Sequence, residues 1–292
     1  MCLINNCNLT LNSKWLNRII LFPASFWFGV MLLLPLIVIT IFSFGERAPA
    51  GGYIPSFTFD QYLNLSARFV AFKNTLTLAP IGTIIALIIG YPLAYYLVFK
   101  VADNKKNILL ILIIIPFWTS ILIRTYAWIF ILGSKGIPNL LEYVGIENLR
   151  LINTPFAVLV GIVYSYLPLM VLPIYVSLEK LDKRLLEASS DLGASNFKNF
   201  INIIIPLSIP GIATGCMLVF ILLMGEFLIP AFLGGGKVFF VGNALVDLFL
   251  QSRNWPFGSA VACSLVIIML IIVSIYMKFI NSKNNREDVS II

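Results

Sequence analysis

Long apolar runs recur along this chain, each broken by a short polar segment. Uncharged stretches cover 19–45, 74–99, 151–178, 199–225 and 254–277. A further one, 107–123, continues past a single charge, Arg124, as far as residue 132. A hydrocarbon core roughly 30 Å thick is crossed by about 20 helical residues. The pattern therefore predicts six transmembrane helices: a first at 19–44, then 72–99, 107–132, 154–177, 207–231 and 257–278. An external loop, 45–70, separates the first helix from a transmembrane domain at 71–278, and tails at 1–18 and 279–292 flank the whole.

One interruption differs from the rest. Between the fourth and fifth spans, 178–206 is charged yet helical in its spacing, with Leu178, Leu181, Leu185 and Leu192 forming an apolar face. Glu179, Lys180, Asp182, Lys183, Arg184, Glu187 and Asp191 fill the other side, and Glu179 and Lys183 stand four apart in the order that favours an ion pair. Gly193 supplies a helix stop, because it adopts positive φ without a Cβ clash. Ser195 can then cap a short second helix that carries Phe197 and Phe200 towards Pro206. The expected product is a helix–turn–helix bracket. Such a bracket can lie on lipid headgroups or dock into the groove of a partner. Its mixture of acids with bases, unlike a basic interfacial helix, favours docking.

Composition agrees with a membrane protein: 60% of residues are hydrophobic and 11% are charged, where soluble domains carry about 25% charged residues. Lysine and arginine concentrate in the N-terminal tail, 100–106, 178–198 and the C-terminal tail. The positive-inside rule then places both termini in the cytoplasm. The net charge of +7 is mostly topology charge. With no basic face on a soluble domain, nucleic acid is not an expected partner. Ala48-Pro49-Ala50 resembles a leader-cleavage site, but the apolar stretch before it far exceeds a leader's core of about 7–15 residues. The first helix is expected to be retained.

The chain has four cysteines and no histidine. Cys2 and Cys7 fall on the cytoplasmic side, where thiols stay reduced, and Cys216 and Cys263 fall within spans. Without histidine, Ser-His-Asp and Cys-His catalysis and most zinc chemistry are excluded, so no catalytic or metal-ligating residue is expected. The glycine-rich run at 233–238 is not a phosphate-binding loop. Ala231 stands where the first glycine is needed, and Val238 replaces the hydroxyl that would bind Mg²⁺.

Ionisable groups inside a membrane are costly and generally face a cavity. Glu226 is the most isolated acid, and Arg124 is the one basic residue in the interior of a span. Glu226 could meet a cationic substrate, with Trp118, Tyr126 or Trp128 offering cation–π faces. It could equally clamp Arg124. Asp247 and Trp255 border the outer mouth, either as pathway residues or as loop anchors and docking contacts.

The bracket also carries a pattern. Glu187-Ala188-Ser189, Gly193, Ile203 and Ile205-Pro206 match in spacing the EAA signature of ABC importer permeases, with Ser189 for its second alanine and Ile205 for its leucine. The blocks "PFWTSILIRTYAW" (116–128), "LVFILLMGEFLIPAFLGGG" (218–236) and "RNWPFGSAVA" (253–262) further resemble the polyamine permeases, the putrescine and spermidine importers. The resemblance implies an all-α integral membrane protein with the type I ABC importer permease fold, in a bacterial inner membrane. It implies that 178–206 seats in a separate ATPase subunit, with Glu187 facing basic residues there while Ala188, Ser189 and Gly193 permit close approach. It also implies a second, homologous permease, two ATPase copies that bind the ATP and Mg²⁺, and an extracytoplasmic polyamine-binding protein. Importers of ferric iron or of oxyanions share related blocks. A stand-alone secondary transporter would leave the signature unexplained and would show an internal repeat, which is not seen.

Overall fold

The computed structural model describes residues 13–145 and 149–289, with side chains described for 21–145, 149–182 and 184–280. Cys2, Cys7 and the rest of 1–12 lie outside the described residues, as does the Lys183 side chain of the expected Glu179–Lys183 pair. Helix α1 (Ser13–Ser43) leads to a two-stranded antiparallel hairpin, β1 (Glu46–Arg47) and β2 (Tyr53–Ile54). A short helix α2 (Asp60–Leu63) and a 3₁₀ turn (Asn64–Arg68) then run into α3 (Phe69–Phe99). Next come α4 (Asp103–Trp118), α5 (Ile121–Leu132), α6 (Ile137–Glu142) and the long α7 (Pro155–Glu179). The bracket is α8 (Lys183–Asp191) and α9 (Asn196–Asn199), joined by a π-helical turn (Phe200–Ile204) to α10 (Ile205–Met224). Two short helices, α11 (Leu228–Leu233) and α12 (Val241–Val246), precede α13 (Trp255–Val289).

Among the described residues five helices are long and apolar enough to cross a membrane, and the α4–α5 pair raises the number to six if it counts as one bent span. The sequence anticipated a continuous helix over 107–132. It is instead broken at Thr119–Ser120, where the segments meet at 91°. Pro116 accounts for the weakness: it withholds one amide from the ladder, and Thr119 and Ser120 turn to extended backbone at ψ 152° and 131°. The span expected over 207–231 likewise stops at Met224 and resumes as α11. At the other end, α13 continues to Val289 through most of the stretch anticipated as a tail.

The core is α3, α7 and α10 packed together. Small residues set their spacing. Ala79, Gly82, Ala86, Gly90 and Ala94 recur along one face of α3 and are buried. A Cβ on Gly211 would sit 2.6 Å from the Pro173 carbonyl oxygen, and one on Gly215 would sit 3.1 Å from that of Met170, so α10 meets α7 backbone to backbone. Where lipid offers no hydrophobic drive between helices, such close van der Waals packing does the work. The first helix differs: α1 packs against α13 and leaves Phe22, Trp27 and Leu32 exposed. The hairpin beyond it is pinned to the start of α13. Arg47 Nη2 donates to the Ser252 carbonyl at 2.9 Å, and Gly52 N to that of Arg253 at 2.8 Å.

Candidate functional site

The bracket forms, but not with one continuous apolar face. Helix α7 stops at Glu179, and Asp182 caps a new helix by accepting from Arg184 N at 3.0 Å. The leucines therefore separate. Leu178 is buried in the bundle, whereas Leu185 is half exposed and Leu192 is 89% exposed. Gly193 takes φ 84°, a left-handed value, and no atom lies within 4 Å of where its Cβ would be. Its constraint within this chain is backbone conformation, and the space beside it is open. Ser195 caps α9 through Lys198 N at 3.4 Å.

Asn199, which sequence reasoning passed over, clasps the two arms. It is 5% exposed. Ser189 Oγ donates to its Oδ1 at 2.7 Å, and its Nδ2 donates to Ser190 Oγ at 3.0 Å and to the Leu186 carbonyl at 3.4 Å. The serine in place of the signature's second alanine thus has a role: its hydroxyl ties α8 to α9. Glu187 and Ala188 are exposed on α8. Glu187 borders a groove shared with Lys100, Asp191 and Asn196. Phe197, on α9, is 71% exposed. Ile203 lies in the π-helical turn, and Ile205 and Pro206 open α10, where proline at the first turn withholds no needed donor. The result is a charged, internally braced projection with Leu192 and Phe197 bare.

The second group gathers at the breaks in the two interrupted helices. Glu226 sits between α10 and α11 and is 6% exposed. Its Oε1 accepts from Leu228 N at 2.8 Å and Ile229 N at 3.2 Å, and its Oε2 accepts from the Tyr166 hydroxyl of α7. Asn243 Nδ2 donates to the Phe227 carbonyl at 2.6 Å, so the corner is held from α12 as well. No ion pair joins Glu226 to Arg124 among the described residues. The carboxylate instead satisfies the free amides that begin α11, the ordinary need of a helix start. Arg124 Nε and Nη1 are shut away from solvent with no hydrogen-bond partner.

The expected aromatic residues divide. Tyr126 meets Phe232 of α11 with ring centroids 5.2 Å apart, and Trp128 meets Tyr164 of α7 edge-on at 5.5 Å. Trp118, at the α4–α5 break, is 81% exposed. Thus α5, α7 and the α10–α11 corner bring together Arg124, Tyr126, Trp128, Tyr164, Tyr166 and Glu226. The visible signal for the two tyrosines was "YSY" (164–166), phenols inside an otherwise apolar run. Asp247 and Trp255 stand apart. Asp247 pairs with Arg68 at 2.6 Å, and Trp255 stacks on Phe42 at 6.3 Å and 8° between planes. Asp247 thus ties to the turn that precedes α3, and Trp255 to the end of α1.

Long apolar helices around a small-residue core, with one charged projection, define a polytopic helical membrane protein. Residues 82–286 match the family model described as "Binding-protein-dependent transport system inner membrane component". The spermidine/putrescine transport system permease protein PotB of Haemophilus influenzae is 43% identical over 269 residues, covering 89% of this chain and 94% of that one. PotB of Escherichia coli K12 is 40% identical, covering 90% and 97%. The inner membrane ABC transporter permease protein YdcU of Escherichia coli K12 is 30% identical, covering 73% and 71%. Among solved structures, a bacterial ABC transporter involved in import of the acidic polysaccharide alginate superposes with TM-score 0.74 at 17% identity, covering 93% of this chain and 97% of that one. The chain belongs to the family of binding-protein-dependent transport system inner membrane components. It is a transport subunit rather than an enzyme.

Proposed function

We propose that this chain is the permease subunit of an ATP-driven importer of polyamines, spermidine and putrescine, forming half of their path across the inner membrane. Likeness to the spermidine/putrescine permeases over nearly the whole length carries the substrate assignment. In this reading α4 and α5 together make one bent span, the spans number six, and both termini are cytoplasmic. The bracket then lies inside, where it seats in a separate ATPase that binds ATP and Mg²⁺. Glu187 faces that subunit's basic residues. Ala188, Ser189 and Gly193 allow close approach, and Ile203, Ile205 and Pro206 carry the movement into α10. A second, homologous permease completes the path, two ATPase copies drive it, and an extracytoplasmic polyamine-binding protein delivers substrate. The exposed Trp118 and Tyr126 suit an ammonium group passing the α4–α5 break.

Uptake of radiolabelled putrescine and spermidine tests the reading. Cells lacking their own polyamine import would express this chain with its companion subunits, with and without the ATPase. Uptake should require the ATPase. Uptake of neither polyamine by an assembled complex would overturn the substrate assignment. A reporter fused near residue 10 should behave as cytoplasmic and one near residue 50 as external.

A further inference from the structure

Arg124 is a cation placed where a lone cation cannot rest. It lies within the first turn of α5, far along the chain from other charges: the preceding charged residue is Lys106 and the next is Lys135. Two of its guanidinium nitrogens, Nε and Nη1, are buried without a partner, while the side chain as a whole remains partly open to the surface. The face of α5 around it is bare: Ser120 and Ala127 are exposed, and Ile131 is 41% exposed. Were lipid to cover that face, a guanidinium would border hydrocarbon, which intramembrane charges avoid by facing protein or a water-filled cavity.

Among the described residues no group relieves it. Among the described residues no carboxylate pairs with Arg124. The nearby acid, Glu226, has both oxygens engaged, by Tyr166 on one side and by Leu228 N and Ile229 N on the other. Water in a transport path would hydrate Arg124 but leave its charge, and a fixed positive charge beside the path repels a polycation. A charge that neutralises it must come from outside the described residues, by way of the part of the side chain still open to the surface.

We infer that Arg124 receives a carboxylate from the second, homologous permease across the bare face of α5, an inference that rests on the pairing of two permeases proposed above. The ion pair would do two things. It would select the partner, since a buried cation rejects any surface lacking an acid. It would also silence a charge that otherwise opposes the substrate.

The test uses the full complex, co-expressed, with affinity capture through a tag on this chain. Total abundance and the size-exclusion profile of each variant are recorded in parallel. The wild type should retain the second permease; if it does not, the two-permease reading itself fails. Arg124→Glu should lower the captured second permease at least tenfold, and Arg124→Lys should keep most of it. Each acid in the spans of the second permease is then changed singly to Lys in the Arg124→Glu background, and one such change should restore capture. Capture at the wild-type level by Arg124→Glu overturns the inference. So does restoration by Glu226→Lys within this chain, or a scan in which no change in the second permease restores capture.

Discussion

The Glu226 carboxylate is buried and accepts three hydrogen bonds, so its removal has a calculable cost. Glu226→Ala deletes the acceptor for Leu228 N, Ile229 N and the Tyr166 hydroxyl in a site that is 6% exposed. Hydrogen bonds to a charged group are worth about 1.5–3 kcal/mol each, and donors left unsatisfied in a buried place carry their full desolvation penalty. The bonds share one carboxylate and do not add, so a loss on the order of 4 kcal/mol is expected, near the top of the range for single substitutions. Tyr166→Phe removes only the α7 arm and should cost about 2 kcal/mol. Glu226→Gln keeps an oxygen for the two amides and can still pair with the phenol, so it should cost about 1 kcal/mol. The assay is the folded fraction of detergent-purified protein after a temperature series, read by size-exclusion fluorescence, with uptake measured alongside. Damage should be greatest in Glu226→Ala, intermediate in Tyr166→Phe and least in Glu226→Gln. A Glu226→Ala protein that melts with the wild type but no longer transports would refute the reasoning. The carboxylate would then act on the substrate rather than hold the corner.

The bracket offers two further tests. Gly193→Leu forces a branched side chain into φ 84°, a strain of roughly 1–2 kcal/mol, and fills the open side of the turn; ATPase capture should fall while the permease stays inserted, and normal uptake would count against docking there. Asn199→Ala unties Ser189, Ser190 and Leu186; it should leave the transmembrane bundle intact yet expose the bracket to limited proteolysis, and an unchanged digestion pattern would contradict the clasp. The Arg68–Asp247 pair is partly exposed, with side chains 26% and 31% accessible, so each single alanine variant should cost about 0–1 kcal/mol. The double variant should cost little more than either alone, and full additivity in thermal unfolding would show that the pair is not coupled.

Much of the bracket was legible because its signals are local. A charged amphipathic turn, a glycine at the left-handed position and a serine cap act on the few residues around them. The apolar stretches were legible for a similar reason, since the count of uncharged residues depends on no neighbour. The breaks were harder. Pro116 was in view, yet proline is tolerated inside apolar helices when other groups re-satisfy the backbone. The proline-containing α3, α7 and α10 run through theirs unbroken, whereas the α4–α5 stretch turns by 91°. The choice depends on what packs alongside.

The roles of the buried polar groups were decided by tertiary structure alone. Glu226 was open to pairing with Arg124 or with substrate; among the described residues it makes no ion pair with Arg124, and it caps α11 and accepts from Tyr166, sixty residues away in sequence. Asp247 finds Arg68 across 179 positions, and Ser189 finds Asn199 around the turn. By itself the sequence determined the apolar runs, the charged projection with its turn and cap, and the lack of histidine that excludes His-based catalysis. Which donor meets which acceptor was left to the fold, because a carboxylate carries no preference for one partner over another until helix packing places one within hydrogen-bonding distance.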